Sequence, residues 1–145
     1  QSEGKVICLS SVAAVLPIPF QSFYSATKAA INAAVTALRG ELKPFGVTVC
    51  AIMPGDVKTG FTAARVKSKA GSLYSERTQR SVEGMENDEK NGEDARFVAR
   101  RIVHIARKKF PAPLYTVGMR YKLFVFLTHI LPRRLLSFLV NKLYA

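Results

Sequence analysis

The sequence predicts an α/β fold organised around a parallel sheet. Two short apolar runs rich in β-branched residues, Lys5–Ser11 and Val47–Met53, are typical of buried strands. The segment between them, Phe23–Leu42, has the length and apolar content of a helix. Strand, helix and strand within the length of one crossover unit favour parallel β-α-β topology. At 145 residues and 48% hydrophobic content, the chain is large enough for one core, so we expect a single globular unit.

The first strand, "KVICLSS", ends in two consecutive serines, Ser10 and Ser11. The following "VAAVLPIPFQ" contains Pro17 and Pro19, which exclude regular structure and predict a loop. The loop leads into the helix predicted over Phe23–Leu42.

Apolar residues of this helix cover more than one face, so we expect it to pack on two sides. They include Ala30, Ala33, Ala34, Ala37 and Leu38. Pro44 cannot continue the helix, and Gly46 permits the turn that follows. The second strand, "VTVCAIM", then runs into "PGDVKTG", a break at its carboxyl end. In open parallel sheets that edge is where ligands bind.

The remainder of the chain is less regular. Residues 61–92 are polar with little periodicity, which favours short helices with mobile joints. Residues 93–109 form a clear amphipathic pattern that predicts a helix, and "PAPLYTVG" predicts a last short strand. Residues 119–145 predict two apolar-faced helical pieces divided by Pro132. We therefore divide the chain into an α/β part, 1–118, and a basic amphipathic extension, 119–145.

The formal net charge of +12 is unevenly distributed. Residues up to Asp94 carry 11 basic and 10 acidic side chains, whereas those from Ala95 onward carry 11 basic and no acidic ones. Such a block suits an anionic membrane surface or nucleic acid, or it can simply be a solvated face. No recognition motif or aromatic stacking platform accompanies the charge, so nucleic acid is not expected. The extension is too interrupted to span a bilayer.

The cysteine and histidine residues exclude two further classes of protein. Cys8 and Cys50 lie in the two strand-like runs and are expected to be buried, reduced thiols, which indicates a cytoplasmic setting. His104 and His129 are far apart in sequence, and no paired cysteines accompany them, so no metal site is predicted.

Three side chains form a candidate proton-handling group. Tyr24 and Lys28 are four residues apart and therefore share one face of the predicted helix. An ammonium group on that face stabilises the phenolate form of a tyrosine, which is otherwise scarce at neutral pH. Ser11, 13 residues before Tyr24, ends the first strand at the same sheet edge and is placed to hold a substrate oxygen. The Tyr-x-x-x-Lys pair alone is weak evidence, because solvated helix faces commonly carry such pairs. A strand that ends in Ser-Ser, a proline-bearing loop, Tyr-x-x-x-Lys at the start of a helix and a strand that runs into Pro-Gly-x-x-x-Thr form an ordered set. This set is much more specific than the pair.

"VICLSSVAAVLPIPFQSFYSATKAA" and "VTVCAIMPGDVKTGF" together resemble the short-chain dehydrogenase/reductase family. The resemblance implies a Rossmann-like, doubly wound parallel sheet and an NAD(P)-dependent oxidoreductase. In that family the serine matching Ser11 positions the substrate oxygen, and the tyrosine matching Tyr24 is the general acid/base. The lysine matching Lys28 supports that tyrosine and hydrogen-bonds the nicotinamide ribose.

The Pro-Gly loop of the family lies against the nicotinamide, and its threonine binds the carboxamide or phosphate. The matching residues here are Pro54, Gly55, Val57 and Thr59. The family's glycine-rich dinucleotide loop and catalytic asparagine precede the active-site strand and have no counterpart here. We therefore expect the chain to correspond to the C-terminal part of a family member, a fragment that is inactive alone. The cofactor is expected to be NAD or NADP.

The resemblance also suggests a substrate and partners. Some relatives that act on steroids, retinoids or other lipids carry similar basic, hydrophobic extensions, so a small lipophilic alcohol or ketone is the expected substrate. The extension would then contact a membrane surface peripherally or cap the substrate pocket. Relatives pair the long helix across a dimer axis, which suggests a homodimer or homotetramer. Two alternatives stay open: a basic module that binds a membrane surface or nucleic acid, and a non-catalytic scaffold related to the family.

Overall fold

The structure is a computed structural model, and it describes residues 4–64 and 73–144. Its helices and strands, in chain order, are β1 (Gly4–Leu9), α1 (Ser22–Glu41), β2 (Val47–Pro54), β3 (Val57–Lys58), α2 (Phe61–Ala64), α3 (Ser75–Lys90), β4 (Glu93–Asp94), α4 (Ala95–Ala106), β5 (Leu114–Val117), α5 (Met119–Ile130) and α6 (Arg133–Tyr144). Short 3-10 turns follow β1 and α1 at Val12–Ala14 and Lys43–Phe45. The predicted long helix and both predicted strands are confirmed to within two residues at each end.

A three-stranded parallel sheet in the order β1-β2-β5 forms the centre of the described fold. The central strand, β2, is buried because its apolar run contacts helices on both faces, and Val49 to Ile52 have no exposed surface. On β1, by contrast, Val6 and Leu9 remain largely exposed. The parallel β-α-β topology predicted from the sequence is confirmed.

Helices cover both faces of the sheet. On one face, Val35 of α1 packs against Val49 and Ala51 of β2. On the other face, Val98 and Ile105 of α4 join a cluster with Cys50, Ile52 and Val117. This two-sided covering is the doubly wound arrangement expected for such a sheet.

The expectation that α1 packs on two sides is met on one side alone within the described residues. The side that faces the sheet is held by Arg39, whose guanidinium donates to the carbonyl oxygens of Val49 (3.0 Å) and Pro111 (2.7 Å). The alanine-rich side is exposed. Ala30, Ala33, Ala34 and Ala37 form that exposed side.

The polar segment 61–92 differs from its prediction as short helices with mobile joints. Residues 75–90 form one 16-residue helix, α3, and residues 65–72 lie outside the described part of the chain. Although half of the residues of α3 are charged, its buried side presents Ser81 and Met85 to the loop before α1. The Ser81 hydroxyl donates to the Pro19 carbonyl at 3.4 Å, and Gln21 contacts the Met85 sulfur. Tertiary contacts therefore stabilise a helix that its own composition hardly predicts.

A short parallel pair, β3 with β4, was not predicted, because two-residue strands carry no readable periodicity. The last strand is confirmed as β5. The C-terminal helices α5 and α6 are confirmed on either side of Pro132. Across residues 4–64 and 73–144, none of the helices combines the length and apolarity needed to cross a membrane.

The core formed by α4 and the sheet predicts a clear difference between two isoleucines that both lie on helices. Ile105 is 4% exposed in the core, whereas Ile130 of α5 is 59% exposed. Ile105→Ala should lower the free energy of unfolding of the full-length protein by about 2–5 kcal/mol, because it leaves a cavity. Ile130→Ala should change it by less than about 0.5 kcal/mol. Urea unfolding followed by circular dichroism measures both, and equal losses would contradict this assignment of the core.

Candidate active site

The candidate site lies where β1 and β2 end and α1 begins. In a parallel sheet the carboxyl ends of neighbouring strands share one edge, and the first turns of α1 return to that edge. Ser11, Tyr24 and Lys28 all line one open cavity there, with a volume of about 1540 Å³. The four residues predicted in the Pro-Gly loop line the same cavity, namely Pro54, Gly55, Val57 and Thr59.

Lys28 links the strand end to the helix. Its ammonium donates to the carbonyl oxygen of Leu9, the last residue of β1, at 2.9 Å. The same nitrogen lies 5.6 Å from the centroid of the Tyr24 ring, within the range of a cation–π contact. The positive charge is therefore held beside the tyrosine that shares its helix face.

Ser11 and Tyr24 both present hydroxyl groups on residues that line the cavity. Tyr24 is 37% exposed, so its side chain is reachable from solvent. The Ser11 oxygen accepts a hydrogen bond from the Ala13 amide (3.2 Å) and so caps the 3-10 turn that follows β1. Because a hydroxyl both accepts and donates, this cap leaves the Ser11 proton to bind an oxygen in the cavity.

Ser10 has a structural role that was not predicted from the sequence. Its side chain is 5% exposed and donates to the backbone carbonyl of Lys28 at 3.1 Å. Its amide donates to the Ile52 carbonyl at 2.8 Å, which continues the pairing of β1 with β2. Successive residues of a strand point to opposite faces. That alternation could have predicted different environments for the two serines.

Asp56 lies among the predicted site residues of the Pro-Gly loop. It is half-buried, and its Oδ2 accepts a hydrogen bond from the hydroxyl of Tyr121 at 2.7 Å. Burial raises the pKa of the Asp56 carboxyl; the Tyr121 bond opposes this rise, and the nearby Asp88 and Glu89 add to it. Burial, followed by the hydrogen bond to Asp56, also raises the pKa of Tyr121. The partners are 65 residues apart, and no local pattern in the sequence connects them.

The cavity continues from the polar edge to an apolar wall formed by the C-terminal helices. Arg120 adds a positive charge near the start of this wall. The apolar side chains of the wall come from α5 and α6 and include Phe124, Leu127, Leu131, Leu136 and Val140. The extension predicted at 119–145 therefore forms part of the cavity.

Comparison with known proteins identifies the family. The model of the short chain dehydrogenase family matches residues 1–70, the part that contains β1, α1, β2 and the Pro-Gly loop. The chain belongs to the short-chain dehydrogenase family. Within this family, the 3-ketodihydrosphingosine reductase of Bacteroides thetaiotaomicron is 38% identical over 118 residues, which cover 79% of this chain and 44% of that protein.

A second relative is the probable short-chain type dehydrogenase/reductase VdlC of Helicobacter pylori. It is 34% identical over 131 residues, which cover 89% of this chain and 48% of that protein. The chain thus spans about half the length of the curated relatives it matches.

A solved structure supports the same fold. A short chain dehydrogenase/reductase from Burkholderia phymatum, in complex with NAD, superposes with a TM-score of 0.63 at 22% identity. The match covers 89% of this chain and 48% of that one. The predicted Rossmann-like, doubly wound α/β fold is confirmed by this likeness.

The burial of Asp56 predicts an unusual pH dependence of stability for this member of the family. Because its pKa is raised above the ordinary value of 3.8, the folded state holds the proton more tightly than the unfolded chain does. The stability that the neutral carboxyl supplies is complete below 3.8 and is lost as the pH rises through the raised value. The free energy of unfolding of the native protein should therefore fall relative to that of Asp56→Asn as the pH rises above about 4. A rise over this range would show that the carboxylate, not the acid, is the stabilised form.

Proposed function

We propose that the whole protein is an NAD(P)-dependent oxidoreductase that interconverts a hydroxyl and a carbonyl group on a small lipophilic substrate. The observation that carries the proposal is the convergence of Ser11, Tyr24 and Lys28 on one cavity beside the Pro-Gly loop. Membership of the short-chain dehydrogenase family supports it, and the most similar relatives described above are named as a reductase and as a dehydrogenase/reductase.

Each of the three side chains has a distinct part in the proposed reaction. The Ser11 hydroxyl donates to the substrate oxygen and holds it in place. Tyr24 acts as general acid in reduction, donating its phenolic proton to that oxygen, and as general base in oxidation. The Lys28 ammonium has three N–H donors, one of which binds the Leu9 carbonyl oxygen. The other two can bind the Tyr24 oxygen and a ribose hydroxyl. A bound nicotinamide supplies or accepts the hydride.

The chemistry of this edge fits the nicotinamide end of such a cofactor. Lys28 and Thr59 offer hydrogen-bond donors, while Pro54, Gly55 and Val57 offer apolar and backbone surface, all on one cavity with Tyr24. NAD and NADP differ at the adenosine ribose, far from these residues. The proposal therefore covers both cofactors. The Burkholderia structure with NAD supports a dinucleotide in this fold.

A lipophilic substrate is favoured by the apolar wall of the cavity. The apolar side chains of α5 and α6 line the same cavity as Ser11, Tyr24 and Lys28 and would cover apolar surface of a substrate. Such burial favours binding by a free energy of roughly 25 cal/mol for each Å² removed from water. The relative named as a 3-ketodihydrosphingosine reductase acts on a keto compound, which agrees with a ketone as the oxidised substrate.

We also propose that the protein assembles as a homodimer or homotetramer in the cytoplasm. The exposed alanine side of α1 is flat and permits the close approach of a second copy of the helix.

Cys8 and Cys50 are free thiols, as expected in a reducing compartment. Burial raises the pKa of the Cys50 thiol, which keeps it protonated and unreactive.

A peripheral membrane contact is proposed for α5 and α6. An exposed apolar stripe runs along α5 at helical spacing and consists of Met119, Leu123, Phe126 and Ile130. Phe138 of α6 is also exposed. Basic side chains flank this surface, and no acidic residue follows Asp94. An exposed apolar stripe with cationic flanks suits the interface of an anionic bilayer.

The assignment of Tyr24 predicts a large kinetic effect. Tyr24→Phe removes the proton donor but keeps the ring, so kcat of the full-length protein should fall by roughly 10²–10⁴-fold. Tyr74, which is 59% exposed at the start of α3, supplies the matched control, and Tyr74→Phe should leave kcat unchanged. The measurement is ketone-dependent oxidation of NADH or NADPH. Near-normal turnover by Tyr24→Phe would remove this residue from the mechanism.

The membrane proposal predicts selective binding to anionic vesicles. Replacing Arg133 and Arg134 by alanine should weaken co-sedimentation with phosphatidylserine vesicles by roughly 30-fold, at about 1 kcal/mol for each charge. Phe126→Ser should weaken binding to neutral and anionic vesicles alike, because it removes apolar anchoring. The control is Arg100→Ala with Arg101→Ala, on the exposed side of α4. Equal binding by all variants would exclude α5 and α6 as the contact surface.

A further inference from the structure

The Pro-Gly loop, residues 54–59, is held from one side by a tyrosine of α5. The Tyr121 ring lies against Gly55 so closely that a Cβ added to Gly55 would be 2.2 Å from ring carbons. Its hydroxyl donates to Asp56 Oδ2 at 2.7 Å. One side chain thus contacts the loop twice, by packing on its glycine backbone and by a hydrogen bond to a half-buried carboxyl.

The loop is also held by β4. The Glu93 amide donates to the Asp56 carbonyl at 2.9 Å, and Val57 pairs with Glu93 in the short parallel ladder. A Cβ on Gly92 would lie 2.5 Å from the Asp56 carbonyl group, so this approach requires glycine. The Pro-Gly loop, which lines the cavity, is therefore held by both α5 and β4.

Tyr121 is itself fixed by its surroundings. It is half-buried and meets Phe124 edge-on, with ring centroids 6.3 Å apart and planes at 80°. Gly118, in a left-handed conformation with φ of 91°, begins α5, and a Cβ there would come within 2.9 Å of the Tyr121 ring. The tyrosine thus reaches the loop from the close-packed junction between β5 and α5.

We propose that Tyr121 is a positioning residue for the nicotinamide end of the cofactor, acting through Asp56 on the Pro-Gly loop. The inference rests on the proposed function, because it assigns a device to the same site. A loop that is already ordered loses less conformational freedom when a ligand binds, so the hydrogen bond contributes to cofactor affinity without touching the cofactor. Helix α5 thereby contributes to the dinucleotide site as well as to the substrate cavity.

The test uses ligands that do or do not contain the nicotinamide. Tyr121→Phe in the full-length protein keeps the ring against Gly55 but removes the donor. It should weaken the binding of NADH or NADPH by roughly tenfold, in line with one lost hydrogen bond. The binding of ADP-ribose, or of its 2′-phosphate, should change by less than about twofold, since neither contains a nicotinamide. Fluorescence titration and calorimetry measure these constants.

Two further variants separate positioning from general damage. The Tyr115 hydroxyl on β5 accepts a hydrogen bond from the Ala112 amide at 2.7 Å, so Tyr115→Phe removes a comparable bond away from the Pro-Gly loop and should leave the affinity for NADH or NADPH unchanged. Asp56→Asn keeps an acceptor oxygen for Tyr121 and should lose less affinity than Asp56→Ala. Combined with Tyr121→Phe, Asp56→Ala should cost no more than either change alone, because the two groups share one interaction.

The outcomes are distinct. Unchanged binding of NADH and NADPH by Tyr121→Phe would overturn the inference, and so would a parallel loss of ADP-ribose binding, which indicates general structural damage. A native protein that binds neither dinucleotide would overturn the proposed function itself, and this inference with it.

Discussion

The hydrogen bond from Lys28 to the Leu9 carbonyl is the interaction on which the candidate site depends. It fixes the second turn of α1 against the end of β1, and the Ser10 bond to the Lys28 carbonyl reinforces the same junction. Because Tyr24 lies one turn earlier on that helix, its ring is carried to the cavity edge, where Ser11 follows the end of β1. The junction of β1 with α1 at the sheet edge therefore sets the positions of Ser11, Tyr24 and Lys28 at the cavity.

The parts of this arrangement that sequence could predict are those encoded within short stretches. Ser11, Tyr24 and Lys28 fall within 18 consecutive residues, and helical periodicity alone puts the last two on one face. The apolar run of β2 likewise shows a strand buried on both faces, and Pro132 shows where the C-terminal helix breaks. In these places local physics and the final fold agree.

The parts that sequence could not predict depend on contacts between distant segments. Tyr121 and Asp56 meet only because α5 follows β5 directly and β5 pairs with β2. The helix α3 is stabilised by Ser81 and Met85 against the loop before α1, not by its own charged composition. The partial burial of Asp56 has no signal in the neighbouring sequence, because burial of a loop residue is decided by the segments that cover it.

The central claim is that Tyr24, Lys28 and Ser11 support transfer of a hydride between a nicotinamide and a substrate carbon. Deuterium tracing tests it most directly. The full-length protein is incubated with NADH or NADPH deuterated at C4 of the nicotinamide, on each face in turn, and with a lipophilic ketone. For one face of the ring, mass spectrometry should find a single deuterium on the carbinol carbon of the product alcohol. Product alcohol without deuterium from either face, or no product at all, would contradict the account.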